Sequence, residues 1–427
     1  MIRTESKPGK LAWVALILLA LSVAINYADR GTLGVAATRL SDELHLGADQ
    51  LGILLAAFSL TYSLSLVVAA KLVDRWNVNW LYAGAFLLWS MATGLTGLAS
   101  SFGAVLTLRL LLGMSESVAY PAYSKMMVIS FPEQLRGTAN ALIDAGSKIG
   151  PAVGVLLGVK MIEWFSWRGM FFVIGAASLL WLIPWCFIAR RLPSKHRDST
   201  ATRETGVPSF REILSKRGLW GTSIGLFGGN YTWFFFLNWL PYYFETERHY
   251  SHQRLAIFAS LPFWAVAAAA MFFGMLADVL VRRGFHAGRT RQGFVCFGLL
   301  GCCVFMVPAV MARRAETGNL LLALACVSMG AWSSNHWALT QLLAGPKAAG
   351  KWTGLQNGFG NLAGVVGQVA SGYVLKATGS FLVPFALAGA VSVTAVFSYW
   401  ILVGKPEEVC WVSPEKAQPA KQPLVRG

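Results

Sequence analysis

Apolar residues in this chain come in runs close to 20 residues long, separated by short connectors that hold most of the charge. Runs of that length can cross ~30 Å of hydrocarbon as helix. Twelve are found, near residues 11–38, 48–73, 78–98, 102–128, 136–163, 167–190, 218–244, 255–280, 293–312, 319–345, 350–375 and 380–404. Backbone N–H and C=O groups meet no water inside a bilayer, so spans of this length are read as helices rather than open strands. The pattern predicts an all-α integral membrane protein with twelve transmembrane helices. The first run, from Leu11, leads into Asn26-Tyr27-Ala28-Asp29-Arg30 with no small-residue cleavage site, and is read as a retained first span.

The longest and most charged connector runs from Arg190 to Arg217, with Pro193, Lys195, His196, Arg197 and Asp198 followed by a Ser/Thr-rich stretch. It divides the chain into a six-helix half over residues 1–190, a linker at 191–217, a second six-helix half at 218–404 and a tail at 405–427. A weak repeat agrees with this division. Arg136–Gly150 can be laid on Gly350–Gly364, and Asp74-Arg75 after span 2 has a counterpart in Asp278 with Arg282 and Arg283 after span 8. Pseudo-symmetric halves are a common way to build a midplane site that opens alternately to each side. Glycines at small-residue spacing in span 5 (Gly146, Gly150, Gly154) and span 11 (Gly354, Gly358, Gly360, Gly364) allow close helix approach, either as plain packing or at a moving interface.

Composition narrows the class. Of 427 residues, 55% are hydrophobic and 13% charged, which is half the charge of an ordinary soluble protein. The net charge of +16 raises a nucleic-acid partner, but the basic residues lie in the connectors and serve better as topology signals. With the N-terminus cytoplasmic, about 25 Lys and Arg fall on the cytoplasmic side and about 8 outside, so both termini are expected in the cytoplasm of a multi-pass inner-membrane protein. The cysteines (Cys186, Cys296, Cys302, Cys303, Cys326, Cys410) fall in or beside apolar segments without metal-type spacing, and are read as packing residues. No GxxxxGK[ST] or HExxH pattern occurs, and the single GxSxG match, Gly221-Thr222-Ser223-Ile224-Gly225, lies inside an apolar run rather than at a strand-to-helix turn, so an ATP-driven pump, a hydrolase or any other enzyme is not expected. Neither a metal nor an organic cofactor is expected.

Charge inside the spans carries the chemistry, because each ionisable residue there costs at least ~2.5 kcal/mol on insertion scales. Six such residues occur, all in the first half: Asp29 and Arg30 in span 1, Arg109 and Glu116 in span 4, Asp144 and Lys148 in span 5. Spans 7 to 12 carry amides and a histidine instead. Arg109 and Glu116 share a helix face but stand ~10 Å apart along the axis, too far for a direct pair. Asp29 is the expected cross-helix partner of Arg109, either as a structural ion pair or as part of a coupling site. Glu116 has no further cation near it in sequence. A carboxylate taken out of water without a fixed counter-ion can exchange a proton during a cycle, which suits a proton carrier. Asp144 and Lys148 are spaced i, i+4 with the acid first, so they either neutralise each other or leave Lys148 to meet an anion in the cavity. His336 is either a hydrogen-bonded core residue or a proton handler. Tyr27, Tyr62, Asn238, Trp337 and Asn357 lie in stretches expected to face a cavity, where rings, hydroxyls and amides suit a polyhydroxylated ligand.

These residues resemble the major facilitator superfamily, and within it the anion:cation symporter family of bacterial sugar-acid transporters and animal vesicular glutamate and sialic acid transporters. The resemblance rests on Asn26-Tyr27-Ala28-Asp29-Arg30-Gly31, on the span 4 stretch from Arg109 through Gly113 and Glu116 to Tyr120-Pro121, and on Trp239-Leu240-Pro241-Tyr242-Tyr243. It implies that Asp29 and Glu116 are proton-coupling carboxylates, that Arg30 with Tyr27 and Tyr62 contacts the substrate carboxylate, and that Trp337 and Asn357 contact substrate from the second half. In span 5, where sugar-acid members tend to have Ser-Gly-Gln, this chain has Ala145-Gly146-Ser147 and then Lys148. Ser147 and Lys148 therefore join the candidate substrate residues, with Arg109, Asp144 and His336 in support. The expected function is proton-coupled import of a small organic anion, a hexonate, hexuronate or aldarate, by a monomer that rocks its two halves, with the proton as coupling ion. The competing readings are a proton-coupled exporter or antiporter and a non-transporting sensor. The linker and tail are too short for the regulatory domain that a sensor would need.

Overall fold

The computed structural model describes residues 9–131, 133–193 and 208–411. The helices are α1 (Lys10–Leu44), α2 (Ala48–Arg75), α3 (Val78–Thr96), α4 (Phe102–Glu116), α5 (Ala119–Ser130), α6 (Glu133–Ala189), α7 (Phe210–Leu214), α8 (Arg217–Thr246), α9 (His252–Arg282), α10 (Ala287–Met311), α11 (Ala315–Asn361), α12 (Ala363–Thr378) and α13 (Leu382–Phe397), the last continued by a π-helical turn over Ser398–Val403. No strand occurs among the described residues. The long α6 turns a corner at Ser166 (φ 69°) and α11 at Gly345 (φ 62°), next to Pro346, so each holds two passes. The α4–α5 pair forms one pass with a break at Ser117-Val118, and α12 continues the second limb of α11. Twelve passes result, as the apolar runs predict.

Seven stretches are long and apolar enough to cross a membrane by length and hydropathy alone, one of them spanning both limbs of α6. The other passes, α3, α8 and the two limbs of α11 with α12, are less apolar. In α8 and α11 the physical reason is that they carry asparagine, glutamine and histidine to an internal cavity.

Helices of residues 10–189 pack among themselves, as do those of 217–403, and the two groups meet along α1–α8, α2–α12 and α6–α9. These contacts gather at the end of the molecule away from Lys10 and Val403. There Arg39 of α1 reaches Glu245 at 3.2 Å and His252 Nε2 at 3.0 Å, while Lys376 of α12 bonds Asp49 of α2 at 2.8 Å. Gly52 of α2 makes the approach of α12 possible, since a Cβ there would stand 2.6 Å from the Gln368 carbonyl oxygen. Within the first group, Gly146, Gly150 and Gly154 of α6 lie against Ala20, Ala24 and Ala28 of α1, so these two helices run parallel at close range. Of the linker and tail proposed from sequence, residues 194–207 and 412–427 lie outside the described residues.

Candidate functional site

Between the two groups lies a cavity of about 440 Å³. It extends toward the end that carries Lys10 and Val403, with Ser124 and Asn140 on one side and Gln341 and Thr353 on the other. A larger groove of about 850 Å³ between α2, α3 and the α4–α5 junction is lined by Val68, Leu72, Trp76, Leu88 and Met114 on the outward face. That groove offers no charged side chain, so the smaller cavity holds the candidate chemistry.

The wall from the first group is built on α1. Arg30, 5% exposed, donates from Nε to Glu116 Oε2 at 2.9 Å, and Glu116 is fully buried as the last residue of α4. The guanidinium is boxed by three rings, with its Cζ 4.5 Å from the centroid of Tyr27, 4.7 Å from Tyr62 and 4.9 Å from Phe58. Such a box fixes the direction of the fork and shields it from water. Arg30 Nη2 and Glu116 Oε1 remain without a protein partner, so neither ion is fully satisfied by the other. Tyr27 and Tyr120 hydroxyls lie 3.2 Å apart on the same wall.

Glu116 thus has a direct cationic partner in Arg30, which corrects the sequence expectation of a carboxylate without one. The partner was hidden because Arg30 lies 86 positions away and only the fold brings the two side chains together. The expected Asp29–Arg109 pair is also not formed as a direct contact. Asp29 Oδ2 accepts a long 3.5 Å hydrogen bond from Thr93, its Oδ1 has no partner, and neither has Arg109 Nε. Both are buried behind the cavity wall rather than in it.

In span 5 the spacing suggested an Asp144–Lys148 pair, and no such contact within 4.0 Å occurs among the described residues. Ser147 Oγ meets Asp144 instead, at 2.7 Å from its carbonyl oxygen and 3.0 Å from Oδ1. The Lys148 ammonium lies 5.8 Å from the Trp233 ring centroid across the cavity. Asp144, Ser147 and Lys148 all line the cavity.

The opposite wall is neutral. His336, buried at 3% exposure, stacks on Trp332 with centroids 4.5 Å apart and 7° between planes, and Trp337 covers it at 4.5 Å. His336 Nδ1 lies 3.2 Å from the Trp332 carbonyl and donates to it, which leaves Nε2 as an acceptor with no protein partner. Asn361 donates to the Asn357 side chain at 2.9 Å, and Asn230 donates to the Gly360 carbonyl at 3.1 Å. Of the sequence candidates, Tyr27, Arg30, Tyr62, Ser147, Lys148, Trp337, Asn357, Asp144 and His336 line the cavity. Asn238 does not. Its backbone carbonyl lies where a Gly34 side chain would begin, so it belongs to the α1–α8 contact. Lining residues that sequence reasoning did not single out as binding include Tyr120, Asn230, Trp233, Trp332 and Asn361. The amides were visible as polar breaks in apolar spans, whereas the indoles looked like any membrane tryptophan.

A model described as Major Facilitator Superfamily matches residues 19–368. The chain belongs to this superfamily, and it is a membrane transporter of multi-pass architecture rather than an enzyme. Among its relatives is a D-galactonate transporter of Escherichia coli O6:H1, 28% identical over 95% of this chain and 98% of that protein. Another, named "Probable sulfoacetate transporter SauU", from Cupriavidus necator, is 29% identical over 93% of this chain and 96% of that protein. Among solved structures, a bacterial homolog of the human lysosomal transporter Spinster, in an inward-facing and occupied conformation, shares the fold at TM-score 0.80 and 17% identity, covering 93% of this chain and 97% of that one.

Proposed function

We propose that the protein imports a small organic anion, a sugar acid, together with protons, by rocking residues 1–190 against residues 218–404. The observation that carries this reading is the Arg30–Glu116 pair at the cavity wall. In the empty carrier Glu116 occupies one edge of the guanidinium, and Nη2 is left without an acceptor. Protonating Glu116 removes the negative charge on that edge, and a substrate carboxylate can then take a charge-assisted, fork-shaped grip on Arg30. Proton and anion therefore favour each other's binding, and the coupling is reciprocal. Asp29, buried near Glu116 with one free carboxylate oxygen, is the second coupling group. Amides, tyrosine hydroxyls and indole faces across the cavity suit the hydroxylated body of such an acid. Relatives that carry names of sugar-acid and sulfo-acid transporters support the anion.

The basic connectors support a cytoplasmic location for both termini, so the described state is closed outside and open inside. Labelling of a cysteine introduced at Ser199, in the linker, by an impermeant reagent added to intact cells would reverse that orientation. The substrate reading is tested with purified protein by thermal shift against hexonates, hexuronates, aldarates and the matching neutral sugars. A bound acid raises the midpoint by its occupancy of the folded state and a neutral sugar leaves it unchanged. Stabilisation by the neutral sugar in preference to its acid would remove the anion from the proposal.

A further inference from the structure

Two cations line the cavity, and their surroundings differ. Arg30 has a carboxylate partner, whereas among the described residues no carboxylate lies within 4.0 Å of the Lys148 ammonium. Its helical neighbour Asp144 accepts one hydrogen bond from Ser147 at Oδ1, and the ammonium's own observed contact is the face of Trp233 at 5.8 Å. A half-buried ammonium held over a ring and facing a polar cavity is a ready anion ligand.

The spacing of the two cations is fixed by the packing of their helices. Gly146 abuts Ala20 and Ala24, and Gly150 abuts Ala24 and Tyr27, so Lys148 lies at the level of about residue 23 of α1. Arg30 is then some seven residues deeper, or ~10 Å at 1.5 Å per residue. The helices are parallel and both side chains lean toward their helix N-termini, so the charged heads keep roughly that separation. Both sit in the same helix group, and the distance does not change when the groups move against each other.

We propose that Lys148 is a second anion-binding position, and that the substrate is a five- or six-carbon hydroxylated chain with an acidic group at each end, one held by Arg30 and the other by Lys148. This rests on the sugar-acid reading above and sharpens it. A six-carbon backbone places its terminal carbons about 6 Å apart with C–C bonds of ~1.5 Å. A hydrogen bond of ~3 Å at each end extends this to ~12 Å, close to the cation spacing. A three-carbon dianion such as malonate is too short to reach both. Asp144 lies one turn nearer the mouth than Lys148, so a carboxylate that overshoots Lys148 meets a like charge. His336 Nε2, an acceptor in the neutral ring, fits a hydroxyl of the middle of the chain rather than a carboxylate.

The test is equilibrium binding to the purified full chain of a hexarate, the matching hexonate and the hexarate monomethyl ester, with malonate as a short dianion. The hexarate is expected to bind at least tenfold more tightly than the hexonate or the monoester, with no comparable gain for malonate. Lys148→Gln should lower that preference at least fivefold, and Lys148→Arg should keep most of it. Equal binding of hexarate and hexonate by the unaltered protein, or an unchanged preference in Lys148→Gln, overturns the proposal. The comparison among ligands on the unaltered protein decides the matter even if the variant does not fold. Hexonate binding without a gain for the hexarate removes this inference alone, whereas failure of all these acids to bind removes the sugar-acid reading with it.

Discussion

The two walls of the cavity are made of different chemistry. The wall from residues 10–189 holds Arg30, Lys148 and Asp144 with tyrosines, and Glu116 stands directly behind it. The wall from residues 217–403 holds Trp233, Trp332, Trp337, His336 and asparagines, with no charged side chain among its described lining residues. The duplicated architecture therefore does not carry a duplicated function. A charge buried on both walls would have to be desolvated twice in each cycle, at a cost of several kcal/mol per ion. On the proposed proton-coupled cycle, concentrating the ions on one wall would let a single pair open and close as protons arrive. On the same proposal, the neutral wall would read shape and hydroxyl pattern, through contacts that survive a change in the charge state opposite.

This division can be broken most severely at Arg30. Arg30→Lys keeps the charge but loses the fork and the Nε contact to Glu116, and is expected to weaken substrate binding by about 100-fold or more. Calorimetric affinity close to that of the unaltered protein would show that the charged wall does not hold the substrate. The next largest effect is expected at the closed end, where Gly52→Val places a branched side chain against the Gln368 carbonyl and the Gly372 backbone. The contact of α2 with α12 should loosen and the population shift toward the opposite opening. A cysteine at Asn357 in a cysteine-free background should then react about tenfold faster with a reagent added from the closed end. A smaller loss is expected on the neutral wall. Trp337→Ala should lower affinity by about 5- to 30-fold through lost stacking and packing, with its largest effect on discrimination between epimers. A loss as large as that of Arg30→Lys would contradict the division of labour. The smallest effect is expected for Lys376→Ala, which removes a surface pair with Asp49 and should change transport by less than about threefold.

Much of this could be read from the chain before its structure. Run length gave the twelve passes, because hydrocarbon thickness dictates helix length independently of partners. The cost of burying charge singled out six ionisable residues, of which Arg30, Asp144 and Lys148 line the cavity while Asp29, Arg109 and Glu116 do not. Pairing was another matter. Spacing along one helix suggested Asp144 with Lys148, but the side-chain contact that Asp144 makes is with Ser147. Glu116 found Arg30 through side chains reaching between α1 and α4, a pairing that no periodicity encodes. Asn238 was expected in the cavity as a polar residue in an apolar span, yet it lies at the α1–α8 contact, where Gly34 brings the backbones together. Trp332 and Trp233 went unmarked because indoles are common in membrane helices and only their stacking on His336 and Lys148 sets these two apart.

The central claim is that Glu116 exchanges its proton for the substrate's hold on Arg30. It is tested most directly in proteoliposomes, by following a labelled hexonate or hexarate under an imposed pH gradient in the unaltered protein and in Glu116→Gln. The unaltered protein should accumulate the acid against its gradient and lose this on adding a protonophore. In Glu116→Gln the amide is neutral like the protonated acid, so binding and substrate exchange should persist while uphill accumulation falls to background. Full proton-driven accumulation by Glu116→Gln would contradict the claim.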